Sequence, residues 1–312
     1  MRRVRIRDFL ETEDMIFSVV TYKHPSNHYN ALLRFVRDPR GERTRDNINY
    51  RKLSFQEAVN YINTWRPEYG DGEPHKVPDA NLKRIVRPKK ALSRLNKEGH
   101  AEITTITKKL LAEGANSEDL GITGSHLVGL DQPSSDIDFV AYGLKGFKAA
   151  RLALRKGIKN GGIRSVEEET WGRIYRKRSP ELDFDEFIEH EKRKFNRGMI
   201  GKRYFDLLFT RSWSEIKDIP SRGKKREKMV VEAKVTDDSF CFDSPAIYEV
   251  EHPEIDRVAS YTHTYAGQVF KGEELQAKGW VEESEKETLL VVGTSRKAKG
   301  EWIRSLDLIK NR

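Results

Sequence analysis

The sequence predicts a mixed α/β chain, of the α+β type, with β-rich segments at both ends and a central segment where helices and strands alternate. Three observations carry this. Runs of β-branched and aromatic residues, Ile16–Tyr22 and His28–Val36, stand before residue 53. Apolar residues at helical spacing from Leu82 to Leu111 lead into the strand-like Leu120–Thr123. Beyond Pro220, short strand candidates follow at 229–235, 246–251, 264–270 and 288–293. The expected domains are a β-rich 1–80, a central α/β domain over 81–218 and a small β-rich domain over 219–312.

In chain order, the turn Lys23–Asn27 joins the first two runs as a hairpin. Ser54 caps a short helix that carries Phe55, Val59 and Ile62 on one face. Pro67, Gly70, Gly72, Pro74 and Pro78 mark a linker or long loop. Leu82, Ile85, Leu92, Leu95, Ile103, Ile106, Leu110 and Leu111 suggest two helices. A basic helix is expected around Lys148–Lys159. A second begins at Ser179-Pro180, with a hydroxyl cap and a first-turn proline, and runs through Phe184, Phe187, Ile188 and Phe195. Arg203–Phe209 reads as a strand.

With 312 residues the chain can bury at least one sizeable core, and its length suits two or three domains. Cys241 is its single cysteine, so no intrachain disulfide can form, which fits a reducing compartment. No apolar run reaches membrane-spanning length, and Met1–Asp8 is too charged for a signal peptide. A cytoplasmic protein with no membrane partner is expected. The net charge of +9 is unevenly spread. Residues 1–100 carry 21 basic and 13 acidic side chains, 101–144 carry 2 and 7, 145–228 carry 24 and 13, and 229–312 carry 11 and 16. An acidic segment between two basic ones suits a polyanionic substrate steered toward a cation-dependent centre.

The acidic segment holds Gly124-Ser125-His126 and, ten residues on, Ser135-Asp136-Ile137-Asp138-Phe139. In a strand, Asp136 and Asp138 project to one face while Ile137 and Phe139 pack behind. Two carboxylates that close repel unless a cation lies between them, and oxygen-only ligands suit Mg²⁺ or Mn²⁺. A glycine followed by a hydroxyl lets backbone and side chain approach a polyphosphate. The third carboxylate such a centre needs is assigned to Asp206, because a charge within the apolar run Arg203–Phe209 is costly unless it ends at a site. Asp183-Phe184-Asp185 repeats the spacing but follows helix-start signals, so its two acids diverge around a helix and it is set aside as a solvated face.

Gly124-Ser125, the spacer, Ser135-Asp136-Ile137-Asp138 and the later Asp206 resemble the polymerase-β-type nucleotidyltransferase superfamily, over about residues 100–210. The flanks loosely resemble predicted archaeal nucleotidyltransferases. The resemblance implies a mixed sheet with helices on one side. It also implies two Mg²⁺ ions held by Asp136, Asp138 and Asp206, with Ser125 at the triphosphate of a nucleoside triphosphate such as ATP. The implied reaction is attack of a hydroxyl on the α-phosphate with release of pyrophosphate.

Gly124, Ser125, His126 and Ser135 are the expected nucleotide-binding residues. Arg197, Lys202 and Arg203 join them as cations just before Asp206. Tyr261, Tyr265, Phe270 and Trp280 are candidates to stack unpaired bases, although core placement is the commoner fate of such aromatics. The expected acceptor is a nucleic acid, RNA before DNA. The alternatives are nucleotidylation of a protein or small molecule, and a non-catalytic RNA-binding protein that retains the fold.

Overall fold

A computed structural model describes residues 2–310 apart from Asp71 and Arg296. The described residues form a mixed α/β protein with three sheets, and the chain divides into two compact units. One unit is Met1–Ile163 with Met199–Ser212, and the other is Arg164–Gly198 with Trp213–Arg312. The division differs from three consecutive domains: residues 1–80 share a unit with the central sheet, and a helical segment of the central region belongs with the C-terminal strands.

In the first unit, a sheet forms from β1 (Phe9–Glu11), β2 (Met15–Val19), β3 (His28–Arg37), β4 (Arg43–Arg45) and β5 (Ile48–Lys52), followed by helix α1 (Phe55–Trp65) and then β6 (His75–Pro78) and β7 (Arg84–Val86). Its order is β4-β5-β3-β2-β1-β7, with β6 also on β3. The long β3 alternates buried and half-buried residues through Tyr29, Ala31 and Leu33, and a bulge in its pairing with β2 then puts Val36 rather than Phe35 into the same core cluster. β2 and β3 form the antiparallel hairpin that the sequence suggests. The Ser54 hydroxyl accepts from the Glu57 amide while the Glu57 carboxylate accepts from the Ser54 amide, a reciprocal cap that fixes the start of α1.

Residues 67–86 are not a linker. Tyr69 stacks on Phe17 at 5.5 Å, the buried His75 accepts from the Leu33 amide through Nδ1, and β6 and β7 complete the sheet. The prolines are tolerated because Pro78 ends its strand rather than interrupting it.

The chain then forms helices α2 (Pro88–Glu98) and α3 (Ala101–Ala112), strand β8 (Leu120–Thr123), the short helix α4 (Gly124–Leu127), strand β9 (Ile137–Tyr142) and helix α5 (Gly143–Lys159). Helices α6 (Glu168–Arg178) and α7 (Phe184–Arg193) precede β10 (Arg197–Ile200) and β11 (Arg203–Thr210). The second sheet has the order β10-β11-β9-β8, with β11 parallel and β8 antiparallel to β9. α5 packs on β9 and β11, and α2 on β8. Gly121 permits the second contact, since a side chain there would press into the Pro88 backbone at the start of α2.

The helix expected to begin at Ser179-Pro180 starts later. Ser179 closes α6 in the left-handed conformation, and the Asp183 carboxylate caps α7 by accepting from the Glu186 amide at 2.7 Å. Asp183 and Asp185 therefore belong to a helix start, and α6 was not foreseen.

The second unit also holds β12 (Lys224–Asp237), β13 (Ala246–Glu251), β14 (Arg257–Ser260), β15 (Glu274–Glu283), β16 (Thr288–Val292), β17 (Trp302–Ser305) and helix α8 (Leu306–Lys310). Pairing runs β12-β13-β14-β16-β15 and returns to β12, which closes a five-stranded barrel; β17 adds to β15. The β14–β16 pair is parallel. Residues 264–270 are not a strand: they wrap the barrel end, with Tyr265 fully buried and its hydroxyl accepting from the Glu181 amide. Among the described residues, no helix is long and apolar enough to cross a membrane.

Phe139, at the centre of β9, is fully buried and meets Phe205 of β11 edge-on at 6.1 Å. Phe139→Ala is expected to destabilise the first unit by about 3–5 kcal/mol. Denaturant unfolding measures this, and an unchanged midpoint contradicts the packing described.

Candidate active site

The site starts from strand register. β9 and β11 run parallel with Asp138 opposite Asp206 and Ile137 opposite Phe205. Aligned residues of adjacent strands share a face, so the two carboxylates stand side by side while Ile137 and Phe205 are buried on the other face. Asp136 lies one residue before β9 and two before Asp138, on the approach to that same face. On the other flank of β9, Thr123 of β8 is opposite Asp138, and the chain turns into α4 directly after it.

Gly124 makes that turn with φ of 68°, and an added Cβ would collide with the Asp138 carboxylate. The glycine is required twice, by its left-handed backbone and by the closeness of the acid. Ser125 follows it and is half-buried.

The electrostatics are those of crowded like charges. Burial first, and the neighbouring Asp206 second, push the Asp138 carboxyl up from the usual 3.8 to about 7, with a smaller push from Asp136. Arg7 and Arg34 oppose the rise. Arg7 is held near by its backbone carbonyl, which accepts from the Thr123 hydroxyl at 2.9 Å. The Tyr204 hydroxyl, two residues before Asp206 and on the same face, donates to Asp206 Oδ1 at 2.8 Å. Asp138 and Asp206 side by side, with Asp136 just before β9, are oxygen donors of the kind that a hard divalent cation such as Mg²⁺ or Mn²⁺ takes.

The remaining expected residues are distributed as follows. The Arg203 guanidinium braces the loop before Asp136, donating to the carbonyls of Pro133 and Ser135 and pairing with Glu102 at 3.3 Å. The Ser135 hydroxyl accepts from the Gln132 amide at 3.0 Å and shapes that loop. Lys202 is exposed in the turn before β11, four residues from Asp206, roughly 13 Å along an extended strand. The His126 ring is buried against His100 and faces Asp131.

Arg197 belongs to the second unit, where it pairs with the buried Glu191 and lies over the Trp171 ring. The structure thus brings Asp136, Asp138, Asp206 and Gly124 together, leaves Ser125 as the next residue of that turn, and gives Arg203 and Ser135 a bracing role. Arg7, Arg34 and Tyr204 were not read from the sequence. Strand alternation around Asp206 could have indicated Tyr204, whereas nothing local in the sequence links Arg7 or Arg34 to residue 138.

The raised Asp138 carboxyl has a consequence for stability. Its neutral form is favoured in the folded state, so stability falls as pH rises from about 4 to about 7. At roughly 1.4 kcal/mol per pH unit the loss is at most about 4 kcal/mol, and less where water reaches the half-buried group. Asp138→Asn is therefore expected to raise the melting temperature of metal-free protein at pH 8, with the gain shrinking toward pH 5. A variant no more stable than wild type at pH 8 contradicts the crowding of the acids.

No family model matches the chain, and no solved structure matches it. It is 36% identical over 338 aligned positions to the uncharacterized protein MJ1086 of Methanocaldococcus jannaschii, an alignment that covers 97% of this chain and 99% of that protein. At that identity over nearly the whole of both proteins, the chain belongs to the same family as MJ1086.

Proposed function

We propose that the protein is a Mg²⁺-dependent nucleotidyltransferase that transfers a nucleoside monophosphate from a nucleoside triphosphate to a hydroxyl of a nucleic acid, RNA in preference to DNA. The observation that carries this is the shared sheet face of Asp138 and Asp206, approached by Asp136 and abutted by the Gly124-Ser125 turn. The motif's resemblance to the polymerase-β-type superfamily supports the finer reading of the second sheet as a nucleotidyltransferase fold.

In the reaction, an oxygen–phosphorus bond forms between the acceptor hydroxyl and the α-phosphate, the α–β bridging bond breaks, and pyrophosphate leaves. The hydroxyl proton passes to a carboxylate of the acidic group or to water. Divalent ions held by Asp136, Asp138 and Asp206 would promote ionisation of the hydroxyl and offset charge on the leaving oxygen. The chain's own residues supply position. Gly124, lacking Cβ, leaves room beside Asp138, the Ser125 hydroxyl can donate to a phosphate oxygen, and Tyr204 fixes the orientation of Asp206. Arg203 holds the loop that carries Asp136.

The preference for a nucleic acid rests on charge and on the barrel of the second unit. Alternation puts Val231, Ala233 and Ala277 inside the barrel, and Lys228, Val230, Lys278 and Trp280 outside on adjoining strands, while Trp302 of β17 is half-buried against the core. Lys225 Nζ lies 3.5 Å from the centre of the Trp280 ring, and the Arg304 guanidinium lies 4.1 Å from that of Trp302. A partly exposed indole such as Trp280, set among lysines, suits a stacked base and its phosphates. Tyr261 is similarly placed, 36% exposed beneath Arg222, whereas Tyr265 is core and Phe270 packs against the core. Small five-stranded barrels recur as single-strand platforms, but a fold does not assign a function, so the weight falls on these side chains.

The test incubates the protein with labelled nucleoside triphosphates, Mg²⁺ and total RNA. Label is expected to enter RNA with wild type and to be lost with Asp136→Ala and Asp138→Ala. Label appearing only in protein or in a small molecule would replace the acceptor. Absence of any Mg²⁺-dependent nucleotide binding by calorimetry would overturn the enzyme reading.

A further inference from the structure

We infer that His100, His126 and Asp131 form a second metal site, of the imidazole–carboxylate type that takes Zn²⁺ or a similar borderline transition-metal ion. One ligand atom from each residue lies within 4.8 Å of the other two. Within that group, Nε2 of His126 is 3.5 Å from Oδ2 of Asp131. Tetrahedral Zn²⁺ with bonds of about 2.0–2.1 Å holds its ligand atoms roughly 3.4 Å apart, so this edge already has a metal-site spacing while being long for a direct hydrogen bond.

The imidazoles have little other employment. Nδ1 of His126 and Nδ1 of His100 are buried and accept or donate no hydrogen bond. His100 occupies the N-cap position of α3 but its side chain makes no capping bond. Glu102 Oε2 lies 3.7 Å from Nδ1 of His100, within a small side-chain movement of the carboxylate–imidazole contact that commonly orients a ligating histidine.

Three protein ligands and one open position describe a site that also binds water or an exogenous donor. Its ligands come from the α2–α3 corner, from α4 directly after Ser125 and from the loop that leads to Asp136. An ion there would tie that loop to the helical layer. Because the donor set contains nitrogen, it differs in kind from the oxygen-only group of Asp136, Asp138 and Asp206. The proposal does not depend on nucleotidyl transfer.

The test titrates the metal-stripped full-length chain with Co²⁺, read by the visible absorption of tetrahedral cobalt, and then with competing Zn²⁺. One equivalent is expected to bind with a tetrahedral spectrum. Asp136→Asn combined with Asp138→Asn is expected to leave it intact. His100→Gln and Asp131→Asn, both at partly exposed positions, are expected to weaken Zn²⁺ binding by more than the 10–100-fold typical of losing an outer-shell partner. Far-ultraviolet circular dichroism of each variant keeps loss of fold separate from loss of a ligand. The inference is overturned if no cobalt spectrum appears, if folded His100→Gln and Asp131→Asn bind as wild type does, or if only the Asp136/Asp138 variant loses binding.

Discussion

The parallel register of β9 on β11 is the constraint on which the rest of the first unit depends. It sets Asp138 beside Asp206 on one face and stacks their apolar neighbours on the other. Like charges so close would be expected to force strands apart, and the strands hold because Phe139, Phe205 and Leu207 are wholly buried behind them. The remaining strain appears as a carboxyl that ionises only near neutrality. Tyr204, Arg7 and Arg34 moderate the crowding without removing it. Gly124 completes the arrangement, since a side chain at that position would occupy the space of the Asp138 carboxylate.

Much of this was legible in the sequence because it is local. The alternation Asp-Ile-Asp-Phe requires only period-two geometry, and the capping residues of α1 are adjacent in the chain. Asp206 was recognisable as a charge inside an apolar run. What escaped was non-local or concealed by composition. Arg7 and Arg34 reach Asp138 from strands and turns more than a hundred residues earlier. β12 opens on Lys224-Lys225-Arg226, which reads as a basic tract rather than a strand, because that end is exposed and little apolar alternation marks it. β6 and β7 are short and lie among prolines and glycines, so turn chemistry hid the strands. The chain passes between the two units three times, after Ile163, Gly198 and Ser212, and no simple linker composition marks these crossings.

The two units also divide the chemistry. The first holds the Asp136, Asp138 and Asp206 group and the His100, His126 and Asp131 cluster. The second presents the Trp280 indole with Lys225 and Lys228 alongside. A protein that handles a polyanion needs both features, a centre where negative charge is managed by cations and a surface where phosphates are met by side chains.

The central claim is that Asp136, Asp138 and Asp206 act as one cation site. Counting bound Mn²⁺ by electron paramagnetic resonance, with and without a non-hydrolysable nucleoside triphosphate, tests it most directly. Wild type is expected to bind Mn²⁺ more tightly when the nucleotide is present, and Asp206→Asn is expected to lose that binding while keeping its fold. Mn²⁺ binding that is absent in wild type, or unchanged in Asp206→Asn, would contradict it.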